Sequence, residues 1–323
     1  MSTTKADPFT DSTDSCPAHG ACVLTPRQVP LGGPRAMTVR RTLPQRDRSL
    51  IGAWCFLDHY GPDRVVDSGG MLVPGHPHTG LATVSWLFQG TIEHRDTTGM
   101  HAWVRPGELN LMTAGRGIAH AEYSTPDTTV LHGAQLWLAL PDRARFTDPD
   151  FINYAPAPFD LDGARSLVFL GELAGVSSPV ATHSPLLGAE LTLRQGQILE
   201  LAVPVEFEHG VLVDSGAVRV NGQPATAAEL AYCPPGARTL RLEAGPDAPA
   251  RLLLLGGEPL GEQIVMWWNF VARTHEEIVE FRTDWERERA EGGVGARYGR
   301  FPDAWSFTLG APELPNVRLR PRG

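Results

Sequence analysis

The tightest constraint on this chain is its punctuation. Apolar runs are short, and glycine (34 residues) and proline (28 residues) recur between them. Ala82-Thr-Val-Ser-Trp-Leu-Phe88, Leu109-Asn-Leu-Met112, His132-Gly-Ala-Gln-Leu-Trp-Leu-Ala-Leu140 and Arg251-Leu-Leu-Leu-Leu255 are each of strand length. They are rich in β-branched and aromatic residues and bounded by turn formers, which predicts an all-β sandwich or barrel. Asn221-Gly222 is a two-residue hairpin signal.

The strands fall in two series, the second beginning near Ser166. Pro141 to Asp162, with four prolines, reads as a link between them. The expected organisation is a disordered, polar segment 1–22, a first β domain 23–145, a linker 146–163, a second β domain 164–290 and an extended tail 291–323, which either packs on its own chain or contacts a second subunit. One helix stands out. Thr274 is an N-cap, Glu277 completes a capping box, and Ile278, Phe281 and Trp285 follow at helical spacing.

The formal charge of −9 and the absence of a basic run argue against direct nucleic-acid binding. No apolar run is long enough to span a bilayer or to serve as a signal peptide, which predicts a cytoplasmic protein without a membrane role. Cys16, Cys22, Cys55 and Cys233 are therefore expected to stay reduced. Cys16 and Cys22 lack the second ligand pair of a zinc site and read as incidental thiols in the tail.

Chemistry concentrates in Gly75-His-Pro-His-Thr-Gly80 and Gly115-Arg-Gly-Ile-Ala-His-Ala-Glu122. Residues two apart on a strand share a face, so His76 projects with His78 and His120 with Glu122. If both pairs face one barrel interior, three imidazoles and a carboxylate converge on a metal with open positions, as in non-haem Fe(II) oxygenases. His94 and Asp96, also two apart, read as a solvated strand face, with the same cavity as the alternative. His59, His101 and His132 have no paired neighbour and default to structural roles.

The spacing Gly70-x5-His76-x-His78, followed by Gly107 through His120, is similar to the two cupin motifs. His76-Pro-His-x-Gly80 with Thr113-Ala-Gly-Arg-Gly-Ile-x-His-x-Glu122 resembles the pirin family more specifically, as do Phe56-Leu-Asp-His-Tyr-Gly61 and Gly256-Gly-Glu-Pro-Leu260. The likeness runs from about Val23 to about Glu280. It implies two tandem cupin (jelly-roll) barrels with a short C-terminal helix. It implies one metal on His76, His78, His120 and Glu122, iron(II) first, with nickel, copper, manganese and zinc as alternatives. The second barrel, which has His183 and His209 but no His-x-His or His-x-Glu, would lack a site.

The family offers two functions. One is a quercetin 2,3-dioxygenase-type enzyme acting on a flavonol or similar aromatic, with Glu122 as a catalytic proton acceptor. The other is a redox- or metal-sensing regulator that binds a protein partner. Many relatives carry a glutamate shortly after the second histidine. Ala82 and Thr83 stand there, so a second carboxylate for proton transfer is missing. Trp86, Phe88 and Met112 are candidates for the cavity wall, although strand alternation prevents all three from facing it, and plain core is the alternative.

Overall fold

A computed structural model describes residues 20–31, 37–291, 297–302 and 307–323. The expected all-β architecture is present as two cupin domains, each a seven-stranded antiparallel sheet with a four-stranded partner. In the first domain the large sheet runs, in spatial order, 150–154, 109–113, 81–89, 130–139, 54–64, 38–43 and 27–30. Its small sheet runs 72–78, 118–124, 92–96 and 101–104. The second domain repeats the plan, with 22–24, 230–233, 208–215, 250–257, 186–193, 164–170 and 159–161 beside 198–202, 239–244, 217–220 and 223–226.

Strand alternation sorts side chains between a core inside each domain and one between the two large sheets. One face of the first large sheet closes over the small sheet, burying Val39, Tyr60, Val73, Leu87, Ile92 and Leu131. The second domain does the same with Leu191, Leu199, Val213, Leu240 and Leu252. The outer faces of the two large sheets also bury each other: Trp54, Leu57, Val84, Trp86 and Leu136 share a cluster with Phe169, Leu212, Leu230, Leu253 and Leu255. Leucines buried on both faces explain why 251–255 is a continuous apolar run rather than an alternating one.

The chain crosses between domains at both ends. Cys22–Leu24 pairs with Leu230–Cys233 of the second domain. Asp150–Tyr154, within the stretch read as a linker, pairs along Leu109–Thr113 of the first. The hairpin at Asn221-Gly222 forms with both residues at positive φ, as a type I′ turn requires. The helix spans His275–Ala290 with Thr274 as N-cap and a complete capping box. No helix among the described residues is long and apolar enough to cross a membrane.

Two expectations need correction or restriction. Cys22 is disulfide-bonded, so not all four cysteines are reduced, while Cys55 and Cys233 are buried free thiols. The segment read as disordered lies, through residue 19, outside the described residues. The C-terminal tail packs on its own chain where described: Arg322 pairs with Ile264, and Thr308 with Gly75 beside His76.

Candidate metal centre

The small sheet of the first domain positions the site. His120 lies directly opposite His76 on one neighbouring strand and opposite Asp96 on the other. Glu122 lies opposite His94. Directly opposed residues share a face, so His76, His94, Asp96, His120 and Glu122 project together. A register shift beside Pro74 and Gly75 places Glu122 opposite Val73 rather than another ligand-bearing residue.

His76, His78 and His120 offer ring nitrogens that all lie within 4.8 Å of one another. His94, His120 and Glu122 form a second, overlapping set by the same measure. The reading of His94 and Asp96 as a solvated face is overturned: they are 2% and 0% exposed. Their burial follows from strand order, because their strand pairs on the flank of 118–124 and carries the strand 101–104 outside it. A single sequence does not display that order.

Hydrogen bonding fixes how the rings face. Nδ1 of His76 is 2.9 Å from the Pro74 carbonyl, and Nδ1 of His78 is 3.2 Å from the Asn269 carbonyl. A carbonyl only accepts, so both rings donate from Nδ1 and leave Nε2 bare. The Asn269 carbonyl comes from the hairpin Val265–Trp267/Phe270–Ala272, which follows the second barrel in sequence. Nε2 of His78 and of His120 face each other at 3.1 Å. Burial pushes His76 down to about 4 and holds His78 and His120 well below the ordinary histidine value, with neighbouring imidazoles adding repulsion. Three neutral rings converging through nitrogen lone pairs suit a metal ion.

Glu122 is 6% exposed, as is His76. Burial lifts the Glu122 carboxyl above the usual range, against the attraction of His94 and a long, 3.5 Å hydrogen bond from Ser85 Oγ. The single Ser85 hydroxyl proton is shared with Gln135 Oε1, the nearer acceptor at 2.8 Å. The Trp137 ring stands edge-on to His78 at 5.1 Å, and Phe151 lies 4.7 Å from the His94 ring.

The candidate wall residues divide as strand alternation demands. Trp86 turns to the other domain, stacking on Phe169 at 4.4 Å and donating to Glu190 at 2.7 Å. Phe88 packs under Arg251. Met112 packs with Ala114, Ile118 and Phe151. Trp137 and Phe151, the rings set against His78 and His94, are neighbours of the centre that the sequence pattern did not single out. The parity of Trp137 along 130–139, opposite Thr83, could have marked the first.

Another constellation, also unmarked in the sequence, joins the domains: His59, His132 and Asp214 lie within 4.8 Å. Arg40 donates to Nδ1 of His59 at 3.2 Å, so Nε2 of His59 carries the proton it gives to Asp214 at 2.8 Å. Arg251 donates to the other carboxylate oxygen at 2.7 Å. With His59 lacking a bare Nε2 and two guanidinium groups adjacent, this is an ion-pair network rather than a metal site. It gives His59 and His132 the structural roles expected of them.

The family model described as Pirin matches residues 36–138, and the one described as Pirin C-terminal cupin domain matches residues 188–291. A Pseudomonas aeruginosa protein named "Putative quercetin 2,3-dioxygenase" is 42% identical over 319 residues, covering 98% of each chain. The chain belongs to the pirin family. A pirin-like protein of Caulobacter vibrioides is 34% identical, covering 78% of this chain and 88% of its own. Among solved pirin-like structures, a quercetin 2,3-dioxygenase from Acinetobacter baumannii superimposes with a TM-score of 0.86 at 37% identity, covering 94% of this chain and 98% of that one.

Proposed function

We propose that this protein holds one metal ion on His76, His78, His120 and Glu122, iron(II) foremost, and opens the heterocycle of a flavonol or similar enolisable aromatic with O2. The observation that carries the metal is the convergence of three buried imidazoles: ring nitrogens of His76, His78 and His120 lie within 4.8 Å of one another, with Nε2 of His78 3.1 Å from Nε2 of His120. The likeness to proteins named as quercetin 2,3-dioxygenases supports the substrate class.

When bound, the ion supplies Lewis acidity toward the flavonol oxygens and a site for O2 chemistry. The chain supplies the rest. Pro74 and Asn269 hold two of the imidazoles in the tautomer that presents Nε2. Glu122 takes up the proton of the enolic hydroxyl on a carboxylate oxygen, with Ser85 Oγ of the neighbouring sheet 3.5 Å away. No second carboxylate serves: Thr83 stands where one would be expected, and Asp96 is engaged by three donors besides His94. His76 and Glu122, each 6% exposed, are the least buried of the four side chains. Trp137 and Phe151, packed against His78 and His94, exclude water.

Metal analysis combined with an aerobic quercetin assay tests this. The expected result is about one metal per chain and loss of the flavonol absorbance with matching O2 uptake. Iron-loaded protein that leaves quercetin untouched, while a pull-down returns one stoichiometric protein partner, would replace the enzyme with the metal-sensing regulator.

A further inference from the structure

His94 and Asp96 are absorbed by neither the ligand set nor the core, and they are the most completely buried polar pair beside the centre. Asp96 Oδ1 accepts from the Thr98 amide at 2.8 Å, the Thr98 hydroxyl at 2.6 Å and the Met100 amide at 3.2 Å. Asp96 Oδ2 faces Nε2 of His94 at 3.2 Å. A carboxylate held by that many donors is an acceptor only, so His94 carries its proton on Nε2. Nδ1 of His94 is then bare, and it lies 3.3 Å from Nδ1 of His120. His120 must donate there, which leaves Nε2 of His120 bare and facing His78.

The direction of the chain of hydrogen bonds is thus set at its far end. Backbone and hydroxyl donors orient Asp96, Asp96 orients His94, and His94 orients His120. Phe151, whose ring lies 4.7 Å from that of His94 at 33°, restrains the plane of the middle ring. The overlapping set His94, His120 and Glu122 could hold an ion only by using a His94 nitrogen that this network already occupies, or by breaking it.

We propose that Asp96 and His94 form a two-residue relay that fixes the His120 tautomer, so that His120 meets a metal through Nε2, and that His94 is a positioning residue rather than a ligand. The proposal rests on the metal-centre reading above. Partners behind ligating histidines typically govern metal affinity without touching the ion.

The test uses full-length protein and Co(II) alone. Chelator competition gives the Co(II) affinity, and the visible absorption of the Co(II) protein reports ligand geometry. His94→Leu, which removes the acceptor, and Asp96→Asn should each weaken Co(II) by about 10- to 100-fold with a shifted spectrum. His94→Gln, whose amide oxygen can accept from His120, should stay closer to wild type in both. His76→Ala marks the loss of a true ligand. Long-range proton–nitrogen NMR of metal-free wild-type protein needs no variant, and should show the Nδ1–H tautomer for His120 and the Nε2–H tautomer for His94. The reverse tautomers would overturn the relay. So would a His94→Leu protein with wild-type affinity and spectrum, or one as deficient as His76→Ala. Wild-type protein that binds no Co(II) would remove the metal-centre reading and the proposal with it, whereas binding with an unaffected His94→Leu removes the relay alone.

Discussion

Asp214 of the second domain accepts a 2.8 Å hydrogen bond from Nε2 of His59 of the first, and both are buried. Nε2 of His132 lies 2.6 Å from the same oxygen, and Arg251 holds the other. Burial acts to raise the Asp214 carboxyl, but the contacts with His132, His59 and Arg251 win and hold it well below the usual range. Asp214→Ala leaves these donors facing an apolar gap. The expected cost is about 3–5 kcal/mol, read as a lower urea midpoint. An unchanged midpoint would show that the network contributes nothing.

Stability should fall on mild acidification. Burial lowers His76 and His209 to about 4 in the folded chain, against about 6.5 unfolded. The unfolded chain therefore binds these protons first. Their contribution is complete above pH about 6.5 and is lost as pH falls toward about 4, at roughly 1.4 kcal/mol per pH unit for each group. Nε2 of His209 is buried without a hydrogen-bond partner and is remote from the metal centre in sequence. His209→Leu should flatten part of this dependence in a pH series of urea midpoints. A series that keeps its wild-type slope would show that His209 takes up its proton equally well in the folded and unfolded chain.

Metal should stabilise the protein, because a folded site binds it and the unfolded chain does not. At a thousandfold excess over Kd the gain is about 4 kcal/mol, visible as a higher Tm. His76→Ala and His120→Ala should abolish that gain. Glu122→Gln keeps the shape but removes both the proton acceptor and the negative charge of a ligand. It should slow quercetin turnover by at least about 100-fold, measured under saturating metal.

The hairpin that carries Asn269 is held close by a glycine. A Cβ on Gly80, which has φ +74°, would stand 2.0 Å from the Val271 carbonyl oxygen. Gly80→Ala should push that hairpin away, loosening His78. We expect a loss of about 2–3 kcal/mol together with weaker metal binding. Gly99→Ala, with φ +93° but open space around it, should cost only the backbone preference, about 1–2 kcal/mol. Equal metal affinity in the two variants would separate His78 from the hairpin.

By itself the sequence determined whatever follows from local periodicity. The two-residue strand repeat put His76 with His78 and His120 with Glu122. Turn chemistry located the hairpin at Asn221-Gly222, and the capping box at Thr274 marked the helix. The pirin resemblance supplied the two barrels. What only the tertiary structure decided depends on partners distant in the chain: His94 with His120 across 26 residues, His59 with Asp214 across 155, and His78 with the Asn269 carbonyl across 191. Strand order in the small sheet buried His94 and Asp96, and packing between the large sheets took Trp86 away from the cavity. A strand's own residues specify which side chains share a face. Which neighbour that face meets is settled by how the whole sheet buries its apolar surface, and the ring tautomers at the centre follow from the neighbours so chosen.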